Sequence, residues 1–182
     1  TREWEDLSVF SLNTEEPHST FYPFSSEKEL LNGVLSNNNL HKSLNGEWNF
    51  KLYDNIDLVP NSFFKNKNVI KKWNKIPVPS NWQFHTDDYP IYTNIIYPYE
   101  INPPFMPKDY NPIGIYQKQF KIDPKWKSKE IFIHFGGVNS AFYLWINGKK
   151  VGYSEGSKTP VEFKITKYLK KGKNTIMVQV IR

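Results

Sequence analysis

Apolar and polar positions alternate along most of this chain. Over residues 44–52, Leu44, Trp48, Phe50 and Leu52 are interleaved with Asn45, Glu47, Asn49 and Lys51. A period of two predicts a strand with one face buried. Residues 115–122 place Tyr116, Phe120 and Ile122 on one face, and residues 130–135 do the same with Ile131, Ile133 and Phe135. Residues 161–165 alternate, and residues 174–181 form a further apolar strand. Residues 140–146, Ser-Ala-Phe-Tyr-Leu-Trp-Ile, are apolar on both faces, which predicts a central strand. Asn147-Gly148 follows, a strong hairpin signal, and residues 149–154 form the returning strand. Helix is scarce. Residues 25–33 predict one short helix, with Ser26 and Glu29 at capping-box spacing and Gly33 as its stop. Asp123-Pro124 opens a single turn, and Gly172 closes another after residue 166. Residues 1–24 read as an irregular arm carrying Trp4, Phe10, Phe21, Tyr22 and Phe24. The pattern predicts an all-β fold, an antiparallel sandwich or jelly roll with a short N-terminal helix. Trp48, Phe50, Phe135, Tyr143, Trp145, Phe163 and Val178 are expected in the core.

Composition narrows the chemistry. A chain of 182 residues is long enough for a core that needs no covalent staples. It has no cysteine, so disulfides and thiolate metal sites are excluded. Its four histidines, His18, His41, His85 and His134, are scattered without metal-ligand spacing. The net charge is +6, yet of the 24 basic residues all but Arg2 and Arg182 are lysines, spread over several segments. Nucleic-acid recognition favours arginine forks, so a solvated basic surface is the expectation. No apolar run approaches the ~20 residues of a membrane-spanning helix. The polar, acidic first residues do not form a signal peptide, and a cytoplasmic location is expected.

Nucleotide loops and nucleophile elbows are missing, and Gly136-Gly137 read as a tight turn. His85 lies near Asp87 and Asp88, which read as solvated loop acids. Glu100 and Asp109 read as structural, and no pair of carboxyls suggests glycosidic chemistry within the chain. What remains is residues 77–113. Pro77, Pro79, Pro90, Pro98, Pro103, Pro104, Pro107 and Pro112 supply eight of the chain's 13 prolines there, among Trp82, Phe84, Tyr89, Tyr92, Tyr97, Tyr99 and Phe105. Aromatic faces and isolated amides are what sugars bind, and most of these rings are equally suited to packing the loop onto the sandwich. So long a connection in a compact domain has a task or wraps the core. The chain also stops at Arg182 directly after an apolar strand, which reads as a piece of something longer.

Several motifs occur together and in order: LNGEWNF at 44–50, VPSNWQ at 78–83, PIYTNIIYP at 90–98, NPPF at 102–105, GIYQKQF at 114–120, GVNSAFYLWINGKKVGY at 137–153 and NTIMVQV at 174–180. As a set they resemble the N-terminal sugar-binding domain of glycoside hydrolase family 2, in its bacterial β-galactosidase branch. The resemblance covers nearly the whole chain. It implies a jelly-roll domain over 41–182, preceded by an arm and short helix over 1–40, and followed by an immunoglobulin-like domain and a catalytic barrel. It implies that the parent is a retaining glycosidase whose catalytic glutamates lie outside these residues, so none is assigned here. It implies that Asn94 contacts hydroxyls of a galactosyl group, with Ile95 beside it. A second sugar contact, an aspartate that also helps hold sodium, would follow Arg182 and is outside the chain. Magnesium and sodium are likewise expected outside these residues, with no cofactor within them. The partners implied are a β-galactoside substrate, met with the rest of the enzyme, and further copies in a homo-oligomer, with neither nucleic acid nor membrane. Another family 2 glycosidase, a β-glucuronidase or β-mannosidase, stays open as an alternative. So does a free-standing carbohydrate-binding module, which would need a complete site within these residues. A basic nucleic-acid adaptor would betray itself by steep salt dependence.

Overall fold

The computed structural model describes residues 2–33, 38–65, 73–91 and 99–182. Nine strands and one short α-helix, α1 (Glu27–Leu31), form the regular elements of this part. The strands are β1 (Ser11–Leu12), β2 (Gly46–Tyr53), β3 (Asn74–Val78), β4 (Ile113–Lys121), β5 (Phe132–Phe135), β6 (Ala141–Ile146), β7 (Lys149–Glu155), β8 (Val161–Lys164) and β9 (Lys173–Ile181). Seven of them make one sheet in the order β1-β7-β6-β9-β4-β2-β3, and β5 pairs with β8 in a second. Every pairing is antiparallel. Among the described residues no helix is long and apolar enough to cross a membrane.

The large sheet is covered on both faces. On one, Trp48, Phe50, Phe142, Leu144 and Val178 meet Ile133 and Phe163 of the small sheet. On the other, Ile115, Tyr143, Trp145 and Tyr153 are covered by Trp4 and Val9 of the arm and by Phe63 and Phe64 of the β2–β3 connection. Trp145 lies stacked on Phe64, with ring centroids 5.4 Å apart, and meets Phe63 edge-on at 5.1 Å. Each large apolar side chain buried in this way stabilises the fold by roughly 1.5–3 kcal/mol. Glu3 pins the arm: its carboxylate accepts from the Tyr143 hydroxyl at 2.5 Å and from Lys150 Nζ at 2.7 Å.

The alternating segments form the strands expected of them. β6 lies between β7 and β9 and is buried at all six positions, because a strand with neighbours on both sides and cover on both faces exposes nothing. Asn147 (φ 53) and Gly148 (φ 79) form the β6–β7 hairpin, where both turn residues need the left-handed region. Asn147 also ties this turn to its surroundings. Its side-chain nitrogen donates to Tyr168 O at 2.9 Å and Asn174 Oδ1 at 2.8 Å, and its oxygen accepts from Thr175 N at 3.0 Å. Ser26 caps α1 by accepting from Glu29 N, while Glu29 reaches back to Ser25 N rather than to Ser26. Asp123 caps the turn at Pro124–Trp126. Of the seven side chains expected in the core, six are buried and Phe135 is half-buried beside the first core.

Two strands depart from the expectations. The arm is not wholly irregular, since Ser11 and Leu12 pair with Ser154 and Tyr153 of β7. No strand is predicted over β3, whose last two residues, Pro77 and Val78, open the proline-rich connection. Its sequence, Asn-Lys-Ile-Pro-Val, contains a proline opposite Glu47 and buries only Ile76 fully, so it carries little periodic signal.

Candidate functional site

β3 ends beside the start of β2, with Val78 opposite Gly46, whereas β4 begins beside the end of β2, with Ile113 opposite Tyr53. The connection between them therefore runs the length of β2, ~27 Å at strand rise. Its first part closes over the sheet. Trp82, in a short 3-10 turn, packs on Phe50 with ring centroids 6.2 Å apart. From there it reaches Asp88.

Asp88 is the centre of the anchored part of the loop. Its side chain is fully enclosed, with 0% exposure. Oδ2 accepts from Trp82 Nε1 at 2.5 Å, Gln83 Nε2 at 3.1 Å and Arg182 Nη1 at 2.6 Å. Oδ1 accepts from the Tyr110 hydroxyl at 2.6 Å. Burial alone would raise the Asp88 pKa, but the bonds from Tyr110 and Trp82 and the charge of Arg182 outweigh it and hold the carboxyl below its usual range. Burial and the neighbouring carboxylate push the Tyr110 phenol up to about 12. Arg182 follows β9 directly, and its backbone N–H donates to Pro112 O at 3.3 Å. Its guanidinium lies 5.9 Å and 5.7 Å from the ring centroids of Tyr89 and Tyr110, which are themselves stacked. Arg182 Nε and Nη2 and the Tyr99 hydroxyl find no partner among the described residues.

Asn94 and Ile95, the two residues singled out for sugar contact, lie outside the described residues. On the described parts of the loop, Phe84, Tyr89, Ile101 and Phe105 expose most of their surface. His85 and Asp88, neighbours in sequence, are not brought together. His85 Nε2 meets Ser80 Oγ at 2.7 Å, and Asp88 turns inward, so its reading as a solvated acid is corrected. Sequence reasoning missed this pair; the one feature that could have raised it is Arg182, one of two arginines in a lysine-rich chain and the better residue for a buried ion pair. No group of three or more His, Asp or Glu among the described residues is arranged to hold a metal. An open cleft lined by Trp4, Phe10, Met106, Ile181 and Arg182 contains the carboxylate of Glu155, which accepts from the Tyr153 hydroxyl at 2.5 Å.

A model of the sugar-binding domain of family 2 glycosyl hydrolases matches residues 41–182. The chain belongs to this family. Among curated relatives, the family 2 domain is 44% identical to a β-galactosidase of Priestia megaterium over 99% of its length, covering 18% of that protein. It is 41% identical to a β-galactosidase of Vibrio vulnificus and 42% identical to one of Pseudoalteromonas haloplanktis, in each case over 100% of this chain and 17% of the relative. The domain thus spans under one fifth of the relatives it matches. Among solved structures, it resembles a Bifidobacterium dentium β-glucuronidase complexed with coumarin-3-O-glucuronide at a TM-score of 0.57 and 20% identity, over 76% of this chain and 19% of that one. A Ruminococcus gnavus β-glucuronidase gives 0.57 and 22%, over 78% and 22%. At such identities these structures speak for the shared fold alone.

Proposed function

We propose that this domain serves a β-galactosidase, in which the loop carrying Asn94 and Ile95 completes the galactosyl subsite. The full-length parent then hydrolyses terminal β-D-galactosides with retention, using catalytic glutamates outside these residues. One observation carries this: identity of 38–44% to β-galactosidases runs along essentially the whole chain. The β-glucuronidases share only the fold, at 20–23%. The chemistry of the loop agrees. A carboxamide can both donate to and accept from sugar hydroxyls, and exposed rings suit the apolar faces of a pyranose. The prolines on either side of Asn94 restrict the chain before binding and lower the ordering cost. In this proposal magnesium and sodium are held by residues beyond this chain, and the parent is a cytoplasmic homo-oligomer.

The test is a kinetic comparison on the full-length parent. A chromogenic β-galactoside should be cleaved in preference to the matching β-glucuronide and β-mannoside. Asn94→Ala should lower kcat/KM for the galactoside about tenfold or more, since a hydrogen bond worth ~1 kcal/mol in the ground state counts for more when it strengthens in the transition state. Its melting temperature should not change. Preference for the glucuronide would refute the proposal, as would unchanged kinetics joined to a large fall in melting temperature.

A further inference from the structure

The register of the large sheet sorts charge by end. One end is the row Tyr53, Ile113, Ile181, Ala141 and Glu155, each paired with the next. Acids gather there. Glu155 lies in the row itself, Asp54 follows Tyr53 directly, and Asp88 is bonded to Arg182, which follows Ile181. At the opposite end β4 finishes and β9 begins, with Lys121 paired to Lys173. Two connections leave from it, residues 122–131 between β4 and β5 and residues 165–172 between β8 and β9. They are stitched to each other: Ile165 N donates to Ile131 O at 2.8 Å, and Ile131 N to Thr166 Oγ1 at 2.8 Å. The Asn147 turn joins them through its bond to Tyr168 O at 2.9 Å.

This arrangement unites two lysine runs that are far apart in sequence. Lys121, Lys125, Lys127 and Lys129 come from the first. Lys164, Lys167, Lys170, Lys171 and Lys173 come from the second. All nine are exposed. The same stretches, 121–131 and 164–173, hold two acids. Asp123 caps its turn by accepting from Lys125 N at 2.9 Å, and Glu130 pairs with Lys164. Among the described residues the lysines in ion pairs are Lys75, Lys150 and Lys164, so the other eight of this group have no carboxylate partner there. The pairing of β4 with β9 and the bonds between the two connections thus turn scattered basic segments into one surface.

Crowded like charges repel, and an anion bound among them relieves that repulsion. A field concentrated at one end also steers anions towards it. The side chains decide which anion fits. Arginine forks, the better grip on guanine and phosphate, are absent from both stretches. Single-stranded nucleic acid is held by rings on which its bases stack. Here the rings are engaged: Trp126 is half-buried, with Nε1 donating to Asn39 O at 2.7 Å, and Tyr168 is half-buried, with Lys167 Nζ 5.2 Å from its ring centroid. A membrane surface is held by apolar side chains that enter it, and none of the exposed large apolar residues lies in either stretch. Carboxylates remain. Lysine is a point charge on a flexible stem, so a group of lysines can follow a flexible acidic chain without a shaped groove.

We propose that this lysine end is a docking surface for an acidic polypeptide, a flexible segment of a partner protein rich in glutamate and aspartate. The surface lies at the other end of the sheet from Asp88 and Arg182 and is independent of the galactosyl subsite.

The experiment follows binding of a fluorescently labelled oligoglutamate peptide to the full-length parent by anisotropy. Affinity should fall at least about tenfold between about 50 and about 300 mM salt, because the charges are exposed and screened. Lys167→Glu, Lys170→Glu and Lys171→Glu combined should weaken binding at low salt by about thirtyfold or more. Lys51→Glu, Lys108→Glu and Lys158→Glu combined change the net charge equally from elsewhere on the domain, and should cost less than about threefold. Replacing Lys167, Lys170 and Lys171 by glutamine should give an intermediate loss with an unchanged melting temperature, so the outcome does not hinge on how well the charge reversal folds. Equal losses from the two glutamate sets would reduce the effect to net charge and overturn the proposal. So would the absence of peptide binding at low salt. Tighter binding of a single-stranded oligonucleotide or an anionic lipid vesicle than of the peptide, at the same salt, would overturn the acidic polypeptide as the partner.

Discussion

Gly114→Ala adds one methyl group, and the structure says where it must go. A Cβ on Gly114 would lie 2.6 and 2.7 Å from two ring carbons of Trp82 and 3.0 Å from Phe50 Cε2. Carbon atoms pack at about 3.5–4.0 Å, so the indole must retreat by ~1 Å. It has little room to do so, because it is 5% exposed and its Nε1 donates to Asp88 at 2.5 Å. Overpacking of this kind costs about 1–3 kcal/mol, and losing a hydrogen bond to a charged group adds about 1.5–3 kcal/mol. Part of each is recovered by relaxation, so a net loss of ~2–4 kcal/mol is expected. For a domain of this size each kcal/mol moves the melting temperature by roughly 2–4 °C. The variant should therefore melt roughly 5–15 °C below the parent sequence in calorimetry. Gly136→Ala is the matched control: the same methyl group would meet nothing within 4 Å, and its melt should be unchanged. Equal melting of Gly114→Ala and the parent sequence would refute the reasoning. It would mean that Trp82 is loosely held, and that the Asp88 anchor is looser than its distances imply.

Asn147→Ala removes three hydrogen bonds from the hairpin and places alanine at φ 53, so a loss of about 2–4 kcal/mol is expected in chemical denaturation. Asn147→Gly should recover only the backbone part. High pH should also destabilise the chain, with a definite sign. Tyr110 is raised to about 12 from 10.0, so its contribution is fully present below pH 10 and is lost as the pH rises towards 12. Burial raises Tyr116, Tyr143 and Tyr153 as well, which should steepen the decline, and Tyr110→Phe should remove its own share in a melting series from pH 8 to 12.

Legibility followed the range of the interactions. The alternation in β2 and β5, the doubly apolar β6 and the Asn147-Gly148 turn depend on neighbours within a few residues, and they could be read directly. β3 could not, because Pro77 breaks the pattern that would have announced it. Asp88 could not either. Its partner Arg182 lies 94 residues away, and nothing near Asp88 in sequence distinguishes a buried aspartate from a solvated one. The family could be named from motifs, since a set of short matches in fixed order carries more information than any one of them. Asn94 and Ile95 came from that resemblance alone, and their surroundings lie outside the described residues.

The order of the large sheet, from β1 at one margin to β3 at the other, bears on how this domain behaves in a crowd. A sheet margin is a row of unsatisfied peptide groups and a template for another chain. Here both margins are blunted. β1 is two residues long, and directly after it Asn13 turns to φ 58 and donates its amide to Val151 O at 2.8 Å, closing off β7 beyond the pairing. β3 carries Pro77, which has no N–H to offer, and Lys75, which places a charge on the rim. Among the described residues, the domain exposes Phe84, Tyr89, Ile101 and Phe105 on its long loop without also leaving either margin of the large sheet as a long open strand on which fibres or mispaired dimers could nucleate.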